Sequence, residues 1–212
     1  MKDIEYYING NSFTNYGVIV EGSSGVCSKL EMKDPLSVDY GNYHGTCVNL
    51  ASVYYKERNI SLSCVIEAIG YDDFIMKINS FISEFEGAGQ KRLKIDVGAK
   101  PLVYEVYCPK SFDPDKKWNP IHMVGTFSLN LVEPEPVKRV LQFGAGTATI
   151  TITSSKPVNI YWGDGTHTYD IYGTQTISHT FSSGMHEIII TGDIDKITFI
   201  STNCTTLWNK LQ

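Results

Sequence analysis

The sequence predicts a mainly β protein in two regions, the first of which carries the only helix. Three observations support this. Apolar and polar residues alternate at period two along several stretches, most clearly at 59–68 and 147–153, which marks half-buried strands. A stripe of helical period appears once, over 71–86. The segment VEPEPVKRV at 132–140 then breaks the pattern, because proline lacks an amide donor and fixes φ. Beyond it the composition turns to Thr, Ser, Ile and Gly, with seven acidic and five basic residues over 133–212. The expected division is a first domain at 1–133, a linker at 134–137 and a second domain at 138–212.

From the N-terminus, IEYYINGNSFTNYGVIVE reads as two strands turning at Asn9-Gly10 or in the loop after it. The stretch 23–50 is long, rich in Gly and Tyr, and broken by Pro35, which fits an extended arm that orders against a neighbouring subunit. In NISLSCVIEA, Ile60, Leu62, Cys64 and Ile66 share one face. YDDFIMKINSFISEFE follows as a helix with an apolar stripe of Phe74, Ile75, Ile78, Phe81, Ile82 and Phe85, acids at its start and a glycine stop in EGAGQ. Strands resume at 91–97, 101–108 and 123–133. After the linker, further strands are expected at 140–153, 158–166, 174–181, 185–192 and 195–201; short strands punctuated by glycine suggest a small sandwich.

The balance of charges excludes several function classes. The net charge is −5, and neither region is basic enough to grip nucleic acid through its phosphates. No apolar run approaches the roughly 18 residues of a membrane helix, and MKDIEYYING has no signal-like core. Five cysteines without CxxC spacing point to reduced thiols and a chain folded in a reducing compartment. Catalytic motifs are also missing: there is no GxSxG, and FGAGTATI lacks the third glycine and the helix of a phosphate loop.

The densest local constellation is VNIYWGDGTHTYD at 158–170. Asp164-Gly165 between apolar strands is the composition of a tight turn, and that reading accounts for both residues. A calcium site would need six or more oxygens, and only Asp164, Asp170 and Asp193 or Asp195 are near in sequence. His167, His179 and His186 match no zinc-ligand spacing. No metal, cofactor or catalytic residue is therefore expected. Tyr161, Trp162, Tyr169 and Tyr172 could stack on sugars, although alternation sends Tyr161 and Trp162 to opposite faces, one of them into the core. Trp118, in SFDPDKKWNP, reads equally well as buried or as a partner contact.

Two resemblances rest on these stretches. INGNSFTNYGVIVEGSSG, KERNISLSCVIEA, the helix and LKIDVGAKPLVYEVY together resemble the N-terminal domain of phage distal tail proteins over about residues 1–133. That resemblance implies a β-sandwich with one helix that assembles six to a ring and links the tail tube to the tip or baseplate. The arm, with Pro35, Tyr40, Tyr43 and His44, is the expected place of exchange between subunits. The protein would then sit in a virion tail, assembled in the host bacterial cytoplasm, with itself, tail tube and tail-tip proteins as partners. Further on, WGDGT, SHTF and GMHEIIITGDI resemble the PKD-like (Ig-like) β-sandwich of bacterial and phage surface proteins; the matching residues are Trp162, Gly163, Asp164, Gly165, His179, Thr180, Phe181 and Gly184. That family consists mostly of spacers and binding modules, so contact with host surface glycans is a further expectation. The competing reading is a bacterial surface or secreted glycan-binding protein with a PKD-like module, and a weaker one is a hydrolase of unrecognised type.

Overall fold

The computed structural model describes residues 4–212, so Met1–Asp3 of the expected first domain lie outside the described residues. The chain forms β1 (Glu5–Ile8), β2 (Asn11–Ser12), a 3-10 turn (Phe13–Tyr16), β3 (Val18–Ser24), β4 (Ser37–Asp39), β5 (Thr46–Val48), β6 (Arg58–Ala68), α1 (Gly70–Ser83), β7 (Lys91–Asp96), β8 (Leu102–Val106), β9 (Asp115–Lys116) and β10 (Met123–Glu133). After residues 134–137 come β11 (Lys138–Phe143), β12 (Gly146–Tyr161), β13 (His167–Phe181), β14 (His186–Gly192), β15 (Ile197–Thr202) and β16 (Thr205–Leu211). Among the described residues the protein is thus mainly β, with one α-helix, as the alternation predicts.

In the N-terminal region, antiparallel sheets ordered β2-β1-β7-β8 and β3-β6-β10-β9 enclose one core with α1. Asn9 and Gly10 both take positive φ, the requirement of a two-residue hairpin turn, so β1 folds back onto β2. The hairpin's second strand ends after Ser12. Gly17 caps the 3-10 turn in the left-handed region and lets the chain cross to the other sheet as β3. The helix stripe is narrower than expected: Phe74, Ile78 and Phe81 are buried, whereas Ile75 is 45% exposed because it leans away from the 74/78/81 line. Phe81 anchors an aromatic cluster, meeting Phe13 edge-on at 5.0 Å and Phe127 at 5.9 Å. Burial pushes the Cys64 thiol up to about 12, consistent with an inert core residue.

In the C-terminal region the order is β13-β12-β14-β11-β16, with β15 also paired to β12. Several boundaries differ from those expected. Residues 146–161 form one strand, not two, because β12 absorbs Pro157 at a register shift between Ser154 and Val158, where a missing donor costs no ladder bond. Asp170, at φ 58, supports the matching irregularity in β13, which begins at His167 instead of 174. The strands β9 and β16 had no sequence signal strong enough to stand out. The core here is Ile150, Ile152, Ile160, Trp162, Ile188 and Ile190, with neighbours.

Candidate assembly interface

Residues 31–56 form a projecting two-stranded ribbon. At its root Lys56 donates to the carbonyl of Glu31 and Lys33 to that of Tyr54. Pro35 interrupts the ladder, after which Asn49 donates to Leu36 and β4 pairs with β5 in the register Ser37↔Val48, Val38↔Cys47, Asp39↔Thr46. The tip closes where the Tyr43 amide meets the Tyr40 carbonyl and Gly45 takes φ +82. Among the described residues, 34–52 hydrogen-bond only to one another.

Both faces of the ribbon carry exposed apolar side chains. Leu36 and Val38 lie on one and Val48 on the other, and all are exposed, Leu36 by 72%. An isolated hairpin is marginal in water, and an exposed apolar edge is a pairing template. Burying what remains exposed of Leu36, Val38, Val48 and Leu50 would be worth roughly 3–6 kcal/mol, at the lower end of the cost of bringing two proteins together. The expected arm residues Tyr40, Tyr43 and His44 sit together at the tip, with Tyr43 65% exposed, whereas Pro35 is half-buried nearer the root.

The connection between the two regions is tightly held. Glu133, the last residue of β10, accepts from Arg58 Nε at 3.0 Å and from Lys138 Nζ, and all three side chains are buried. Lys138 Nζ lies 4.3 Å above the Tyr104 ring, and the Arg58 guanidinium faces the same ring at 5.6 Å. Burial pushes Lys138 down to about 8 despite the opposing Glu133 carboxylate. Glu135, in the linker itself, accepts from Asn159 at 3.1 Å and from Tyr161 and Thr191 at 2.9 Å. Lys94 reaches Glu187 at 2.6 Å, Arg92 donates to the Glu187 carbonyl, and the Trp208 indole donates to Pro101 at 3.0 Å. Val103, Val140, Tyr161, Ile189 and Leu207 form an apolar cluster across this junction.

The 158–170 constellation is a braced turn. Trp162 N donates to Thr166 O at 3.0 Å, and Asp164 Oδ1 accepts from the Thr166 amide at 3.0 Å and its hydroxyl at 2.6 Å. Asp164 Oδ2 is 2.7 Å from His179 Nε2, and the His179 ring stacks on Trp162 at 4.8 Å. Burial alone would raise the Asp164 carboxyl, but the bonds from Thr166 and His179 outweigh it and hold the group at about 2. Gly163 and Gly165 take φ +93 and +87, and a Cβ on Gly163 would lie 2.7 Å from the Glu187 carbonyl. The turn therefore abuts the junction.

The expectation that one of Tyr161 and Trp162 faces outward is corrected. Alternation does separate them, but both faces are covered: Trp162 is 2% exposed in the second core, and Tyr161 is 7% exposed in the junction cluster. Only Tyr169 and Tyr172 of the four aromatics are exposed. The three histidines are separately engaged, His167 stacking on Tyr169, His179 on Trp162 and His186 on Phe181. Among the described residues no group of three or more His, Cys, Asp or Glu is placed to hold a metal ion.

No protein-family model matches the chain, and no curated protein matches its sequence. Solved structures do. The Dit protein (gp 19.1) of phage SPP1, described as a paradigm of the hub adsorption apparatus in Gram-positive infecting phages, aligns with 97% of this chain and 83% of its own at a TM-score of 0.54 and 13% identity. The phage P2 baseplate, in its activated conformation with Ca, aligns with 100% of this chain and 89% of its own at a TM-score of 0.49 and 8% identity. The first of these likenesses shows a shared fold that takes in both regions of the chain.

Proposed function

We propose that this chain is an architectural component of a phage or prophage tail tip or baseplate: a ring-forming hub, six copies by the resemblance, that joins tail tube to tip. The observation that carries the proposal is the fold shared with the SPP1 hub protein over 97% of the chain. The exposed apolar ribbon supports it, since such a surface needs a protein partner. In this reading residues 1–133 form the ring, 134–137 connect, and 138–212 are an outward PKD-like accessory domain. Its partners are further copies of itself and the tail tube and tip proteins, in a virion assembled in the host cytoplasm. Any contact of the outward domain with host glycans would fall to Tyr169 and Tyr172.

The test is the mass and shape of the purified full chain, by sedimentation and electron microscopy, with and without the ribbon. Deleting 31–46 would cut one leg and the tip, so the informative deletion removes both legs, residues 34–53, across the paired root. Closed rings from the intact chain and none from the deletion are expected. A chain that stays monomeric at its highest soluble concentration overturns the ring.

A further inference from the structure

A second unpartnered surface lies far from the ribbon. Trp118, in the loop after β9, is 59% exposed yet held in place: it meets Tyr71 edge-on at 5.7 Å and Phe74 at 6.4 Å, and Lys116 Nζ lies 5.8 Å over its ring. Ile69, Tyr71 and Ile121 are exposed around it. Beside the indole is an open cleft lined by Lys116, Lys117, His122 and Val124. A fixed, exposed tryptophan flanked by aliphatic side chains has the make-up of an interface hot spot, because little side-chain freedom remains to be lost on binding.

The two surfaces stand at opposite ends of one element. The ribbon returns to the sheet at Lys56 and enters β6 at Arg58, whereas Ile69 and Tyr71 follow the last residue of β6, Ala68. Eleven residues of strand separate these ends by roughly 35 Å. The surfaces also differ in charge. Residues 34–53 carry Asp34, Asp39 and His44 and no lysine or arginine, while the cleft presents Lys116, Lys117 and His122 against Asp115, with Lys116 paired to Asp113 at 3.2 Å and Lys117 left toward solvent. A donor at one end and a different acceptor at the other is the arrangement of a heterologous, head-to-tail contact, which closes into a ring when the rotation between copies permits.

We propose that the Trp118 cleft receives the ribbon tip of a second copy of this chain, with Tyr40 and Tyr43 packing on Trp118 and Asp39 facing Lys117. The proposal rests on the hub reading and adds the acceptor site to it. Each subunit then gives one ribbon and takes one, so no copy within a closed ring leaves either surface open.

Two variants separate the halves of the contact: Tyr40→Ser with Tyr43→Ser removes the donor, and Trp118→Ser removes the acceptor. In sedimentation velocity each alone should self-associate at least about 30-fold more weakly than the intact chain. Mixed in equal amounts they should form a dimer with one working junction that grows no further. Lys117→Glu, a change on an exposed loop that leaves packing intact, should weaken association, and Asp39→Lys should restore it. Failure of the mixture to dimerise, or a Trp118→Ser chain that assembles as the intact one does, overturns the acceptor assignment. If closed rings are still seen by electron microscopy in that case, the hub reading survives and the ribbon docks elsewhere or the cleft serves another partner. An intact chain that forms no oligomer overturns both.

Discussion

Replacing Glu133 with glutamine should destabilise the whole chain, whereas replacing its partner Lys138 with methionine should not. Arg58, Glu133 and Lys138 form a buried group with two positive charges and one negative. Glutamine keeps the shape of Glu133 but leaves two buried cations beside the Tyr104 ring without a counter-ion, a defect that costs about 3–5 kcal/mol. Methionine at 138 fills most of the same space and leaves Arg58 and Glu133 as a balanced pair, so the change in stability near neutral pH should be under about 1 kcal/mol or favourable. The pH dependence gives a second handle. Lys138 titrates near 10.5 when unfolded and about 8 when folded, so between these values the unfolded chain holds a proton that the folded one has released. Its contribution therefore makes stability rise with pH across that window and is lost again as pH falls through about 8. Urea unfolding followed by circular dichroism, from about pH 7 to 10, should show the wild type gaining on Lys138→Met as pH rises. Equal losses in the two variants, or a difference between wild type and Lys138→Met that does not change with pH, would refute the charge argument and leave only packing.

Other consequences are local. Gly163→Ala should cost at least about 2 kcal/mol in thermal unfolding, because φ +93 disfavours a side chain and its Cβ would meet the Glu187 carbonyl at 2.7 Å. Asp164 has its carboxyl lowered from 3.8 to about 2, so its stabilisation is present above about pH 4 and lost as pH falls through 2. The drop corresponds to roughly 2 kcal/mol in full, cut to about 1 kcal/mol because the carboxylate is partly open to solvent. Asp164→Ala should accordingly flatten the acid limb of the stability curve, and an unchanged limb would show that the turn does not depend on the carboxylate. Removing the ribbon, residues 34–53, should leave the melting temperature within a few degrees of wild type while abolishing rings, since 34–52 hydrogen-bond only among themselves.

The sequence by itself determined what depends on neighbours along the chain. The alternation in 59–68 places Ile60, Leu62, Cys64 and Ile66 in the first core, and the helical spacing of Phe74, Ile78 and Phe81 does the same for α1. Asn9-Gly10 fixes its hairpin, and Asp164-Gly165 fixes its turn, because each needs only its own residues to satisfy backbone geometry. The tertiary structure decided what covers each face. Alternation separates Tyr161 from Trp162, but only the approach of Val103 and Leu207, from segments distant in sequence, turns the outer side of β12 into a second interior. Glu133 and Lys138 read as ordinary linker charges until Arg58 and Tyr104 arrive from other strands and leave them no water. Trp118 could be buried or exposed on sequence grounds, and the tertiary structure decides the outcome: Tyr71 and Phe74 of α1 meet it edge-on and Lys116 Nζ lies over its ring, yet 59% of the residue stays open. Periodicity is a property of a single element, whereas burial is a property of the elements that come to lie against it.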